Sequence, residues 1–280
     1  MGEVTDRVGN AAGHAGRQTQ DSKWFDYLIR VGFVAYGVVH LMIAWLAIQL
    51  AFGNSSGKAN NQGAMQQLAQ QPFGEVMLWA IAIGMASLVL WKVLDAIYGH
   101  NEEDEDLKKW GKKANAVGKA ILYGFVGYSA LKVALHAGSK SQGRSTTAKL
   151  MDAPFGQILV GIVGLAIIGY GGYMCYRGFT EKYKEHLDAE GKSGQSGRAY
   201  ILFGKVGYIA KGIAIAIVGG LFLYAAISHK AKKSGGLDDA LKTVLDQPFG
   251  PVLLIIIALG IAAYGLFCFA RARHLARKDR

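Results

Sequence analysis

Proline is almost absent from this 280-residue chain: there are four, and three of them stand in one repeated phrase. Cysteine is scarcer still, with two residues, too few for a disulfide framework or a four-thiolate zinc site. Charged residues make up 18%, low for a soluble domain, and the 20 acids are outnumbered by 31 lysines and arginines. No phosphate-cradling glycine loop, haem-attachment motif, metal-ligand spacing or nucleophile–base pairing occurs. Catalytic, cofactor and metal sites are therefore all assigned as none, and the chain is read as no enzyme. No helix-turn-helix, zinc or RNA-binding signature accompanies the net charge of +11, which leaves nucleic acid out as a partner.

What the chain has in quantity is apolar sequence. Six stretches, Val31–Phe52, Phe73–Tyr98, Ala114–His136, Phe155–Tyr176, Tyr200–Ile227 and Pro251–Phe269, run 19 to 28 residues each. At 1.5 Å per residue each is long enough to cross a hydrocarbon core. Residues 1–22 are polar and glycine-rich and carry no cleavable signal.

The repeated phrase sets the organisation. Pro72-Phe73-Gly74, Pro154-Phe155-Gly156 and Pro248-Phe249-Gly250 each open an apolar run. Gly37, Gly118 and Gly212 precede the three prolines by 35, 36 and 36 residues, and Trp91, Tyr173 and Phe267 follow them by 19. Val31–Gly37 aligns with Val206–Gly212, while the middle copy departs, with Lys113 where the others have Gly32 and Gly207. A unit repeated three times sets the fold. The phrase is expected to start the second helix of each unit, with proline at the first helical position, where its missing N–H costs nothing. Short mixed segments upstream, Ala64–Gln70, Thr146–Met151 and Asp238–Leu245, suit helices lying in the interface.

The expected fold is all-α: six transmembrane helices as three tandem two-helix repeats around a pseudo-threefold axis along the membrane normal. The boundaries are a polar tail at 1–23, repeats at 24–98, 99–179 and 198–273, and a basic tail at 274–280. Loop lysines and arginines number 18 on the side of the termini and eight on the other. That places both termini in the cytoplasm of a bacterial inner membrane, with the Pro-Phe-Gly turns outside. The basic face would meet anionic lipid headgroups, and a membrane-protein partner is open. Close helix packing is offered by Gly161 and Gly164, Gly169 and Gly172, Gly219 and Gly220, and Ala258 and Ala262.

These residues, the tandem two-helix unit, the glycine-bearing first helix and the Pro-Phe-Gly start, resemble the bacterial membrane proteins grouped as domain of unknown function 1206. The resemblance covers about residues 24 to 273. It implies a six-helix inner-membrane protein with three internal copies, and it implies no activity and no catalytic residue.

Candidate chemistry is confined to polar residues inside the apolar runs. His40 replaces the isoleucines of the other copies (Ile121, Ile215) and is either a histidine bonded to a neighbouring helix or a functional group. Lys119 and Lys211 either snorkel to headgroups or point inward as a cationic lining. Asp95 aligns with Arg177 and Arg271, which suggests ion pairs at the cytoplasmic interface. The acidic run Glu102–Asp106 reads as a solvated loop, since a calcium or zinc site needs defined ligand spacing. Two functions follow: a filled structural or accessory bundle that binds lipid or a partner, or a channel or transporter with a path along the axis. Glycine and tyrosine in abundance favour the filled bundle.

Overall fold

The computed structural model describes residues 23–54, 57–98, 106–135, 155–228 and 236–276. The leader, Pro154, Glu102–Glu105, His136, the 146–151 segment and the last four residues lie outside them. Among the described residues there are eight α-helices: α1 (Lys23–Ala51), α2 (Asn61–Ala69), α3 (Gly74–Tyr98), α4 (Asp106–Ala134), α5 (Gly156–Phe179), α6 (Gly194–Ser228), α7 (Leu237–Leu245) and α8 (Gly250–Arg273). Two 3-10 turns, Lys182–His186 and Glu190–Lys192, join α5 to α6.

The Pro-Phe-Gly phrase adopts a left-handed turn. Phe73, Phe155 and Phe249 have φ of 60°, 61° and 60°. Gly74 N–H donates to Gln71 O (2.9 Å) and Gly250 N–H to Gln247 O (2.8 Å). This is the pattern of a type II turn, with proline second and a positive-φ residue third. Pro72 and Pro248 therefore precede their helices instead of opening them as the sequence suggests. The phenylalanine is the N-cap residue, and its carbonyl takes the first helical bond, as in Met77 N–H to Phe73 O (3.1 Å). A bulky residue in this region costs about 1–2 kcal/mol. Glycine stands one position later because a side chain on Gly250 would collide with the backbone of Leu245, and one on Gly74 with that of Leu68. The fourth proline, Pro251, takes the first-turn position expected of the other three.

Upstream of two of these turns lie short helices, α2 and α7, where the sequence suggests them. Asn60 caps α2 by accepting from Gly63 N–H at 2.9 Å. In α7 the buried face is Asp238, Ala240, Leu241 and Val244. Asp238 accepts from the Ala59 backbone N–H (2.8 Å) and pairs with Lys242 (2.8 Å), so the third repeat is locked to the loop of the first.

Five helices, α1, α3, α5, α6 and α8, are long and apolar enough to cross a membrane. The apolar faces they turn outward, with residues such as Ile83, Ile97, Ile158, Ile162, Leu165, Ile256 and Leu259, are the surface a lipid environment requires. This is a multi-pass membrane protein. The third expected stretch forms α4, a helix of 29 residues whose apolar portion is diluted by Asn115 and Lys119, and it falls outside the five.

The long helices pack in the order α4, α3, α1, α8, α6, α5. The most extensive contacts join α5 to α6, α8 to α1 and α3 to α4. The ends of this arc, α4 and α5, barely touch. Small residues allow the close approaches: a side chain on Gly171 would lie 2.6 Å from Gly212 O, one on Gly164 3.0 Å from Gly219 O, and one on Gly37 2.9 Å from Gly265 O. Gly169, Gly172 and Gly220, expected as contacts, face open space. Arg30 ties α1 to α8 on one face by donating to Ala272 O (3.0 Å) and Arg273 O (2.7 Å), which caps the end of α8.

Phe249→Gly should be tolerated within about 1 kcal/mol, because glycine accepts positive φ freely. Phe249→Ile and Gly250→Ala should each cost about 2 kcal/mol in thermal unfolding in detergent.

Candidate functional site

The inside of the arc is built around Tyr36. Its ring meets His40 of its own helix (4.3 Å between centroids), Tyr123 of α4 (5.2 Å) and Tyr264 of α8 (6.3 Å). Its hydroxyl accepts from Lys211 Nζ of α6 at 2.9 Å. Four helices thus converge on one buried tyrosine. Lys211 points inward and does not snorkel: its ammonium lies 3.9 Å from the Tyr264 ring centre and 4.8 Å from that of Tyr36. Such faces attract a cation when water is excluded. An inward lysine in a membrane helix still costs about 3 kcal/mol, which marks it as more than packing.

His40 is buried, and its Nδ1 donates to Tyr36 O at 2.8 Å. The bond runs to the preceding turn of its own helix, and the link to a neighbouring helix is ring packing against Tyr264 (4.9 Å).

Below this hub, on the face where α8 ends, a cleft opens between α4 and α5. Its lining includes Lys119 and Tyr123 of α4, Tyr170, Tyr173 and Arg177 of α5, Tyr208 and Lys211 of α6, and Tyr264 and Arg271 of α8. Among the described residues four cations and six tyrosines, counting Tyr36, line it, and no carboxylate does. Its cavity volume is about 30 Å³, room for about one ordered water. The mouth is formed by Lys119 and Leu122 on one side and Tyr170 and Tyr173 on the other, all partly exposed.

Arg177 and Arg271 are buried, at 5% and 6% exposure. Arg177 donates to Glu185 Oε1 (3.0 Å) and His186 Nε2 (2.7 Å). Arg271 stacks 4.1 Å from the centre of the Phe33 ring and 5.7 Å from that of Trp91. Asp95, the third member of the proposed interfacial set, bonds Lys92 three residues earlier at 2.7 Å and is absent from the cleft. The connector that supplies Glu185 is itself anchored. Tyr183 is buried against Tyr208 and Phe267 and donates to Ile201 O (2.7 Å), while His274 meets Asp188 (3.3 Å). Beside it, the hydrogen bond from Lys184 holds the Glu181 carboxyl below its usual range, with Lys205 assisting.

A second concavity lies on the opposite face, lined by Leu50, Lys58, Gln62, Gln66 and Lys242 among others. Lys242 there pairs with Asp238 as Arg177 pairs with Glu185, and with four cations against two the cleft between α4 and α5 carries the stronger chemistry.

The family described as Domain of Unknown Function (DUF1206) matches three times, at residues 31–99, 114–181 and 206–274. The chain belongs to this family. Among curated proteins, an uncharacterized protein of Bacillus subtilis (strain 168), YxxB, is 27% identical over 254 residues, covering 90% of this chain and 92% of that one. No solved structure matches. The DUF1206 units frame the site: Tyr36 and Lys211 each precede the glycine of the first helix, and Arg177 and Arg271 each stand 23 residues past the proline. The sequence reading missed the six tyrosines. The signal available was that Tyr36 and Lys211 occupy equivalent places in two copies.

Tyr36→Phe should cost about 1.5–3 kcal/mol in lipid-stripped protein, because it removes the hydroxyl partner of a buried ammonium. Lys211→Met should melt at the wild-type temperature or above, since an apolar side chain removes the desolvation cost. In the double variant the loss should largely disappear, a coupling that thermal denaturation measures directly.

Proposed function

We propose that this DUF1206 protein is an accessory membrane bundle that binds and does not conduct, with no catalytic step of its own. In this reading all six long helices cross the membrane, α4 included, and the three repeats surround a pseudo-threefold axis. The contact pattern supports it. The second helix of one repeat packs on the first helix of the next three times over, as α3 on α4, α5 on α6 and α8 on α1. Rotation about an axis along the membrane normal generates that pattern. Near the axis, repeat-equivalent Tyr36 and Lys211 are hydrogen-bonded.

Both termini are assigned to the cytoplasm of a bacterial inner membrane. The bond from Arg30 to the end of α8 puts the two termini's helices on one face, and that face carries most of the loop lysines and arginines. Its natural contacts are anionic headgroups, with a membrane-protein partner as the other kind of occupant.

The single observation behind the non-conducting reading is the filled centre. Tyr36, His40, Tyr264 and Lys211 occupy the inside of the arc, and His40, Ile43, Leu46, Leu254 and Ala258 are all buried. A second reading, a transporter, draws on the same cleft, because a cationic recess that alternated between faces would carry anions. Proteoliposome uptake of radiolabelled phosphate and chloride decides between them. Wild type, His40→Ala and Lys211→Ala should all match protein-free vesicles, whereas saturable uptake that Lys211→Ala abolishes overturns the non-conducting bundle.

A further inference from the structure

We propose that the cleft between α4 and α5 is a binding site for one phosphate-type oxyanion, which reaches it sideways through the gap between these helices. This deepens the binding-bundle reading by naming the ligand chemistry and its route.

Three independent features point to it. The first is charge. Lys119, Arg177, Lys211 and Arg271 line one recess that holds no Asp or Glu among the described residues, and Arg177 pairs with Glu185, which lies outside the lining. Among the described residues, Lys211 faces one hydroxyl and two ring faces, and an ammonium has three N–H donors, so hydrogen-bonding capacity remains for an acceptor. Tyr123, Tyr170 and Tyr208 also line the recess, and a phenolic hydroxyl is a donor of the kind that holds phosphate oxygens alongside cations.

The second is access. Every other neighbouring pair of long helices is packed together, and the α4–α5 pair barely touches. The opening lies between two long helices whose outer faces are apolar, with Leu122 on α4 and Ile162 and Leu165 on α5 exposed. A headgroup entering between them would keep its acyl chains outside against those faces.

The third is size. A cavity of about 30 Å³ holds about one water and not a whole phosphate, so the group would sit at the mouth with a single oxygen filling the recess toward Lys211. Lys119, partly exposed at that mouth, would be the first cation met, and Lys211 the deepest.

The shared chemistry, a phosphate oxyanion, could come from a lipid headgroup or from a free anion. The full-length chain, purified in detergent with its lipid exchanged out, would be titrated with phosphatidylglycerol, with sn-glycerol 3-phosphate and with phosphatidylcholine. Native mass spectrometry would give stoichiometry, and thermal shift would give affinity. The expected result is saturable binding of one anionic ligand per chain, weakened about tenfold or more in Lys211→Met and in Lys119→Gln. Lys184→Gln, a surface cation outside the cleft, should leave affinity unchanged.

Preference for phosphatidylglycerol identifies a lipid site, and equal binding of glycerol 3-phosphate identifies a free-anion site. Either outcome supports the proposal. Absence of saturable binding by both anionic probes overturns it, as does an equal loss in Lys184→Gln, which would reduce the effect to surface electrostatics. Lys119→Gln keeps the test decisive even if Lys211→Met misfolds. Flux without binding would sink both readings, binding with flux would sink only the non-conducting one, and neither binding nor flux would sink only this site.

Discussion

The hydrogen bond between Lys211 and Tyr36 is the contact that orients the interior. It joins α6 to α1, two helices that are otherwise separated by α8 in the packing order. Tyr36 also meets Tyr123 and Tyr264, so α1, α4, α6 and α8 are all referenced to one side chain. In lipid there is no hydrophobic force to hold helices together, and packing and polar contacts must do so instead. A buried ammonium bounded by ring faces and one hydroxyl is an expensive way to fill a centre. That expense is understandable if the same group also serves a ligand.

Close backbone approach makes the contact geometrically available. Gly207 packs against the backbone of Tyr264, and Gly212 against Gly171, on either side of Lys211 in the same helix. A side chain at either position would push α6 away from α8 or α5. Lys211, one helical turn after Gly207, therefore faces α8.

Much of this was legible in the residues, and the limits are instructive. Repeat length, the number of copies, the short helices α2 and α7 and the membrane class follow from periodicity and composition, which are local or additive properties. The Pro-Phe-Gly turn was located but its geometry was misassigned, because proline tolerates both a first helical turn and the second place of a type II turn. Positive φ at phenylalanine runs against its intrinsic preference, and only the glycine after it hints at the tight fit. The direction of Lys211 was undecided because snorkelling and inward placement differ by helix rotation, which neighbouring helices set. Its position four residues after Gly207 was the available clue, since a contact glycine marks the face turned to a partner helix.

The middle repeat explains why the bundle has an opening at all. Where the first and third copies place Tyr36 and Lys211, it places Val117, which is 48% exposed. Where they place Gly37 and Gly212 in close contact with a neighbouring helix, Gly118 has nothing within 4 Å. The helix carrying these changes is α4, the one that falls short of the other five in apolar character, through Asn115 and Lys119. Both of those residues line the cleft. A membrane helix tolerates polar residues where they turn toward a protein-lined recess and away from lipid. The reduced hydropathy of α4, its loosened packing and the cationic cleft are therefore one structural fact. Divergence of the second copy coincides with the seam between α4 and α5 that the described helices leave open.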